Sequence, residues 1–208
     1  MSANGELREL LFGDVPTAAW AGSGEGEPWA TFRLADQRAR AGDTAGAKAA
    51  FAAVLTMPEL ESRHYLQAWH GLRGIGIEPA EADAKRLYGV VLDVPMDAGM
   101  DTLAAYADGS CRYLNHAGGA TIWERPDDSL DELVAALLAA AQPVVEAIGP
   151  WEEARPAVPP GEARLSLLAA SGLHFGQARF EVLLQDQMAA PVFSAGIALL
   201  QALVDKTS

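Results

Sequence analysis

Near Leu87 the spacing of apolar side chains passes from a helical to a pleated period, and that change restricts the chain to an α+β fold. Before it, Ala47, Ala50, Phe51, Val54 and Leu55 recur at i, i+3, i+4, i+7 and i+8, one face of a helix. After it, residues 87–94 form a Val-, Leu- and Tyr-rich run closed by Pro95, as a buried strand would be. Asp108-Gly109 then separates two short runs, 102–107 and 110–115, and has the composition of a two-residue type I′ hairpin turn. That register sets Tyr106 opposite Cys111 and Ala104 opposite Tyr113 on one face, with Leu103–Leu114 and Ala105–Arg112 on the other. A further strand, 120–124, follows the turn at Ala117-Gly118-Gly119.

Flanking signals complete the expected order of elements. Helices are predicted over 29–41 and 44–57, broken at Gly42-Asp43, where the glycine suits a helix end and Asp43 can cap the next start. A third helix spans 59–73 and a short fourth follows Pro79. Ser129-Leu-Asp-Glu132 has the form of a capping box and opens a helix to Ile148 that Pro143 should kink. A proline-rich connector (149–161) leads to strands 163–169 and 177–184 around a turn at Ser171-Gly172, then to a terminal helix, 187–204. Hairpins between neighbouring strands imply an antiparallel sheet covered mainly on one face by two long helices, with helical hairpins at the N-terminus packed on it. The chain divides into a short helix and Gly/Pro-rich flexible loop (1–28), a helical region (29–86) and an α+β region (87–208), expected to pack as one unit.

Gly42-Asp-Thr-Ala-Gly-Ala47, Phe51, Val54-Leu55 and Pro58 together resemble the turn and second helix of a tetratricopeptide repeat. Pro58 falls one residue early for that pattern and Gly74-Ile-Gly76 interrupts a second copy, so the resemblance implies one helical hairpin at about 29–58 and not a repeat array. Asp101-Thr-Leu-Ala-Ala-Tyr-Ala-Asp-Gly109, Arg112-Tyr-Leu-Asn115 and Ser171-Gly-Leu-His-Phe-Gly176 are similar to segments of a group of bacterial proteins of unknown function. That likeness covers roughly 75–205 and implies a continuous α+β unit, with no activity to carry over.

Half of the 208 residues are hydrophobic and 21% are charged, enough for an ample core. The longest apolar stretch, 133–148, is amphipathic and broken by Pro143 and Glu146, so no membrane span is expected. An acidic N-terminus without a secretory pattern, and a single cysteine, Cys111, point to the cytoplasm and exclude an intrachain disulfide. The net charge of −13 is uneven: residues 87–156 carry three basic and twelve acidic side chains. Phosphate contacts need clustered Lys and Arg, so nucleic acid is excluded as a partner, whereas a basic protein fits.

Chemistry-bearing residues are few. His116 and His174 both sit beside glycine-rich turns and could converge, with Asp101 or Asp108 orienting an imidazole. His64 and His70, six apart, fall on different helix faces and cannot share a metal. Asp93, Asp97 and Asp101 recur every four residues around Pro95 and Gly99, where three carboxylates in a loop could hold a hard cation without EF-hand spacing. Cys111 lacks the neighbouring base that would make it a nucleophile, and no serine occupies a Gly-x-Ser-x-Gly elbow; Ser171-Gly172 reads as a plain turn. Trp20 and Trp151, beside glycine- and proline-rich segments, are candidate partner anchors. No cofactor fingerprint occurs. The expected function is a non-catalytic protein-interaction or adaptor module. The alternatives are a small hydrolase using His116 or His174 with an aspartate, and an acidic immunity or chaperone-like partner of a basic protein.

Overall fold

The computed structural model describes residues 7–207, so part of the expected N-terminal helix (residues 1–6) lies outside the described residues. Six strands, β1 (Leu87–Met96), β2 (Gly99–Tyr106), β3 (Cys111–Leu114), β4 (Ala120–Trp123), β5 (Glu162–Ala169) and β6 (Gly172–Arg179), form one sheet in the order β4-β3-β2-β1-β5-β6. Every neighbouring pair is antiparallel, which establishes the α+β class. Helices α1 (Thr17–Ala21), α2 (Trp29–Arg40), α3 (Thr44–Thr56), α4 (Ser62–Gly74) and the short α5 (Glu81–Ala84) precede the sheet. Helix α6 (Asp131–Ala147) follows β4, and α7 (Phe180–Leu183) and α8 (Ala189–Thr207) follow β6.

One sheet face is closed by α6 and α8: Val90, Leu92, Leu103, Leu165 and Leu167 meet Leu137, Val145, Val192, Phe193 and Leu199. Burying a side chain of this kind stabilises by about 1.5–3 kcal/mol. Gly196 on α8 lies against Leu92, whose Cδ1 would have to move to admit a side chain there. Over the window Ala189–Lys206, α8 is apolar and long enough to cross a bilayer by length and composition, yet Val192, Phe193, Leu199 and Leu203 are spent on this core.

The other face is covered by the N-terminal helical region, so both faces of the sheet are closed. Leu11, Phe12 and Leu66 pack on Tyr88, Val91, Ala104, Tyr106 and Leu168, and Trp69 bridges this cluster to the helical core of Trp20, Phe32, Phe51 and Val54. The Tyr106 hydroxyl donates to Leu11 O at 2.8 Å, and Gln67 Nε2 to Val15 O at 2.9 Å, tying the N-terminal segment down. The helical pair α2/α3 forms as expected: Gly42 takes φ +75°, and the Asp43 carboxylate accepts from Gly46 N at 2.9 Å. Residues 21–28, a flexible loop by composition, are held by Arg33 Nη1 donating to Ala21 O and Gly24 O.

Four expectations are corrected. In the β2–β3 hairpin Ala105 faces Cys111, Ala104 faces Arg112 and Leu103 faces Tyr113, one residue out of the predicted register. Gly109 alone has positive φ (+86°), and Gly109 N donates to Tyr106 O, so the turn is a type I turn closed by a glycine bulge, not type I′. The reason is Asp108: its carboxylate accepts from Ser110 N and Ser62 N, which a left-handed Asp108 would forgo. The capping box also fails, because the N-cap is Leu130 and Ser129 turns back to Asp127. Pro95 does not end β1, which runs to Met96; past Asp93 the strand is paired on the β2 side only, so a missing N–H is tolerated. Finally β6 begins at Gly172, five residues earlier than expected, and ends in α7.

Candidate functional site

A cleft of about 860 Å³ opens where four segments remote in sequence meet. Glu9 and Asp14–Pro16 form one wall, His70, Arg73 and Glu78 a second, Pro150–Arg155 a third, and the β5–β6 turn (Ser171–Leu173) the floor. The proline-rich third wall is fixed by two arginines. Arg164, buried on β5, donates from Nη1 to Pro156 O at 2.7 Å and from Nη2 to Ala157 O at 3.2 Å. Arg155 lies 3.7 Å over the Phe12 ring and pairs with Glu9 at 2.6 Å and Asp14 at 3.5 Å. Trp151 N donates to Leu173 O at 2.7 Å, its ring stands 5.1 Å from that of Phe175, and it remains 41% exposed.

Five carboxylates and two guanidiniums line the cleft; Arg155 is paired with Glu9 and Asp14, and Arg73 donates from Nη1 to Ala170 O. Among the described residues Glu78, Glu152 and Glu153 are in no ion pair within 4 Å. Burial, aided by Arg73 and opposed by Asp14, holds His70 below the ordinary imidazole range, so at neutral pH it adds no positive charge. The cleft is therefore an anionic, aromatic-walled surface.

The two histidines foreseen as partners are not brought together. His116 follows β3 and His174 lies on β6, four strand spacings away, and at about 4.8 Å per spacing that is roughly 19 Å. Each instead has a local partner. Beyond β3, His116 Nδ1 lies 2.8 Å from Asp101 Oδ1, and the Tyr113 hydroxyl donates to Asp101 Oδ2 at 2.6 Å. Burial pushes the Asp101 carboxyl up, but the bonds from Tyr113 and His116 outweigh it and leave it below its usual range. On β6, His174 is fully buried; its Nε2 lies 2.9 Å from Ser171 Oγ and its Nδ1 3.0 Å from Ile148 O. One histidine thus has a carboxylate without a nucleophile, the other a hydroxyl without a carboxylate.

The remaining candidates disperse. Asp108 serves the hairpin turn. Asp93 is buried against Thr102, Asp97 lies in the β1–β2 turn, and Asp101, opposite Val94, faces the other side of the sheet, so the three cannot share a cation. Among the described residues no group of three or more His, Cys, Asp or Glu is arranged to hold a metal ion. Cys111 is buried, and desolvation pushes its thiol to about 12. His64 lies in a cage of Trp20, Trp29 and Phe32, 5.1 to 6.4 Å between ring centres, so Trp20 is core rather than anchor. Arg73, Arg155, Arg164 and Ser171 were missed. Only Ser171 had a local signal: a hydroxyl three residues before a histidine across a tight turn, obscured by starting β6 at Gln177.

With the α+β class and this cleft in view, the chain was compared with known proteins: no family model, no curated protein and no solved structure matches it.

Proposed function

We propose that the protein is an interaction module that seats a basic segment of a partner protein in the cleft beside Trp151. The observation that carries this reading is the lining itself, three unpaired carboxylates around an exposed indole on a wall pinned by two arginines. A Lys or Arg side chain entering there meets Glu78, Glu152 and Glu153 without breaking an existing ion pair, and the indole face adds a cation–π contact of about 0.5–1 kcal/mol. Each exposed ion pair adds only about 0.2–1 kcal/mol, so affinity requires several basic residues at once.

Titration of a fluorescein-labelled Lys/Arg-rich peptide tests it. Binding should weaken as ionic strength rises from about 0.01 M to about 0.15 M, since the Debye length falls from about 30 to about 8 Å. The double substitution Glu152→Gln/Glu153→Gln should cost roughly three- to tenfold in affinity. The same number of charges removed outside the cleft, Asp128→Asn/Glu132→Gln, should cost almost nothing. Equal losses from the two doubles would reduce the effect to net charge and refute the cleft.

A further inference from the structure

The β5–β6 turn carries a hydrogen-bond chain that a docking role does not use. Ile148 O can only accept, so the proton on the His174 ring sits on Nδ1, and Nε2 presents its lone pair to the Ser171 hydroxyl at 2.9 Å. That is the direction in which a serine hydroxyl gives up its proton when it attacks a carbonyl. The arrangement is fixed from three sides. His174 is buried on β6, Ile148 caps α6, and the turn is held by Ser171 N donating to Ala84 O at 3.0 Å and Ala170 N to Arg86 O at 3.2 Å.

Ser171 lines the cleft floor, so the pair adjoins a space large enough for a small substrate. Both turn amides are engaged, which leaves Arg73 as the donor for negative charge developing on a carbonyl oxygen. Its Nη1 is anchored on Ala170 O, while Nε and Nη2 stand 3.6 and 3.8 Å from the position a Gly172 side chain would occupy. Burial, with Lys85 and Arg73 as the neighbouring charges and the Ile148 bond opposing them, holds His174 below the ordinary imidazole range, hence unprotonated at neutral pH.

We propose that Ser171 is a nucleophile, with His174 as its base and Ile148 O as the orienting acceptor, and that the protein hydrolyses small carboxylic esters admitted through the cleft. Ser171 Oγ bonds to the ester carbonyl carbon while its proton passes to His174 Nε2. The bond to the leaving oxygen then breaks as that proton is returned to it, releasing the alcohol and leaving an acyl-serine. Water attacks the same carbon, losing a proton to Nε2, the Oγ–carbon bond breaks, and Ser171 takes the proton back. Ester and water become acid and alcohol, with no other reactant. The proposal does not rest on the docking reading: loss of peptide binding leaves the Ser171 labelling as expected, and Asp128→Asn/Glu132→Gln, outside the cleft, should leave turnover unchanged.

The test is covalent labelling of the full chain with a fluorophosphonate, located by peptide mass spectrometry, together with turnover of p-nitrophenyl acetate. The expected result is one adduct, on Ser171, and a loss of turnover of at least about a hundredfold in Ser171→Ala and in His174→Gln. Labelling should run at full rate above about pH 6.5 and slow only at lower pH, as His174 takes a proton. No adduct on Ser171 of the folded protein, or turnover unchanged in Ser171→Ala, would overturn the proposal. If His174→Gln does not fold, the pH profile decides the base: labelling indifferent to pH from about 4 to about 8 speaks against His174 and overturns its role.

Discussion

Asp93 sits in the sheet interior opposite Thr102, whose hydroxyl donates to Asp93 Oδ1 and accepts from Arg8 Nη2, both at 2.6 Å. Burial raises its pKa more than the Thr102 bond and the surrounding Arg8, Arg164 and Arg155 lower it. A carboxyl whose folded pKa exceeds its unfolded value favours folding fully below about pH 3.9, and that contribution is lost as pH rises through the folded value. Asp93→Asn keeps an acceptor for Thr102 and removes the titration. Urea unfolding should therefore show the variant at least as stable as the parent at about pH 7, with its advantage shrinking toward about pH 4. A variant equally weakened at both ends would mean that the network needs the charge. His64, His70 and His174 act with the opposite sign: burial lowers each, so their contribution is present above about pH 6.5 and declines as pH falls.

Among the elements, the β2–β3 hairpin separates two readings of one dipeptide. In a type I′ turn Asp108 would be left-handed and Asp108→Gly would be neutral or stabilising; in the observed turn its carboxylate caps Ser110 N and reaches Ser62 N on α4. Asp108→Gly should cost about 1–3 kcal/mol in urea denaturation, and an unchanged midpoint would favour the type I′ register. Leu87–Met96 was legible as a continuous apolar run, buried at every position from Tyr88 to Asp93, and the Ala47–Val54 face because its burial recurs every three to four residues. Register was not, since Asp-Gly permits both turns and the choice depends on Ser62, 46 residues away. The Ser129 box misled for a related reason: Asp127, two residues earlier, accepts the Ser129 N–H first. The turn at Ser171-Gly172 hides the start of β6, whereas antiparallel pairing of Gly172–Gly176 to Leu165–Ala169 carries the strand from the turn itself.

For the molecule as a whole, the acidity of residues 87–156 does not become one surface. Asp93 is interior, and Asp101, Glu124 and Asp131 are tied to His116, Arg112 and Arg125. The anionic cleft takes only Glu152 and Glu153 from that stretch and draws Glu9, Asp14 and Glu78 from elsewhere. Trp151 was the one lining residue that the sequence marked as a partner anchor, because a site assembled from four distant segments leaves no local pattern. The pinning of the connector predicts that Arg164→Met, which retains bulk but cannot donate to Pro156 O and Ala157 O, speeds amide hydrogen exchange over 150–158 while the α3 core stays protected. Unchanged exchange there would show that the wall stands without Arg164.

The most direct measurement of the docking account is an amide NMR titration of the intact chain with the Lys/Arg-rich peptide. The account predicts saturable shifts confined to Glu78, Trp151–Arg155 and Ser171–Leu173, abolished in Glu152→Gln/Glu153→Gln. Shifts centred on the exposed acids at Asp127–Glu132, or spread evenly over the acidic surface, would contradict it.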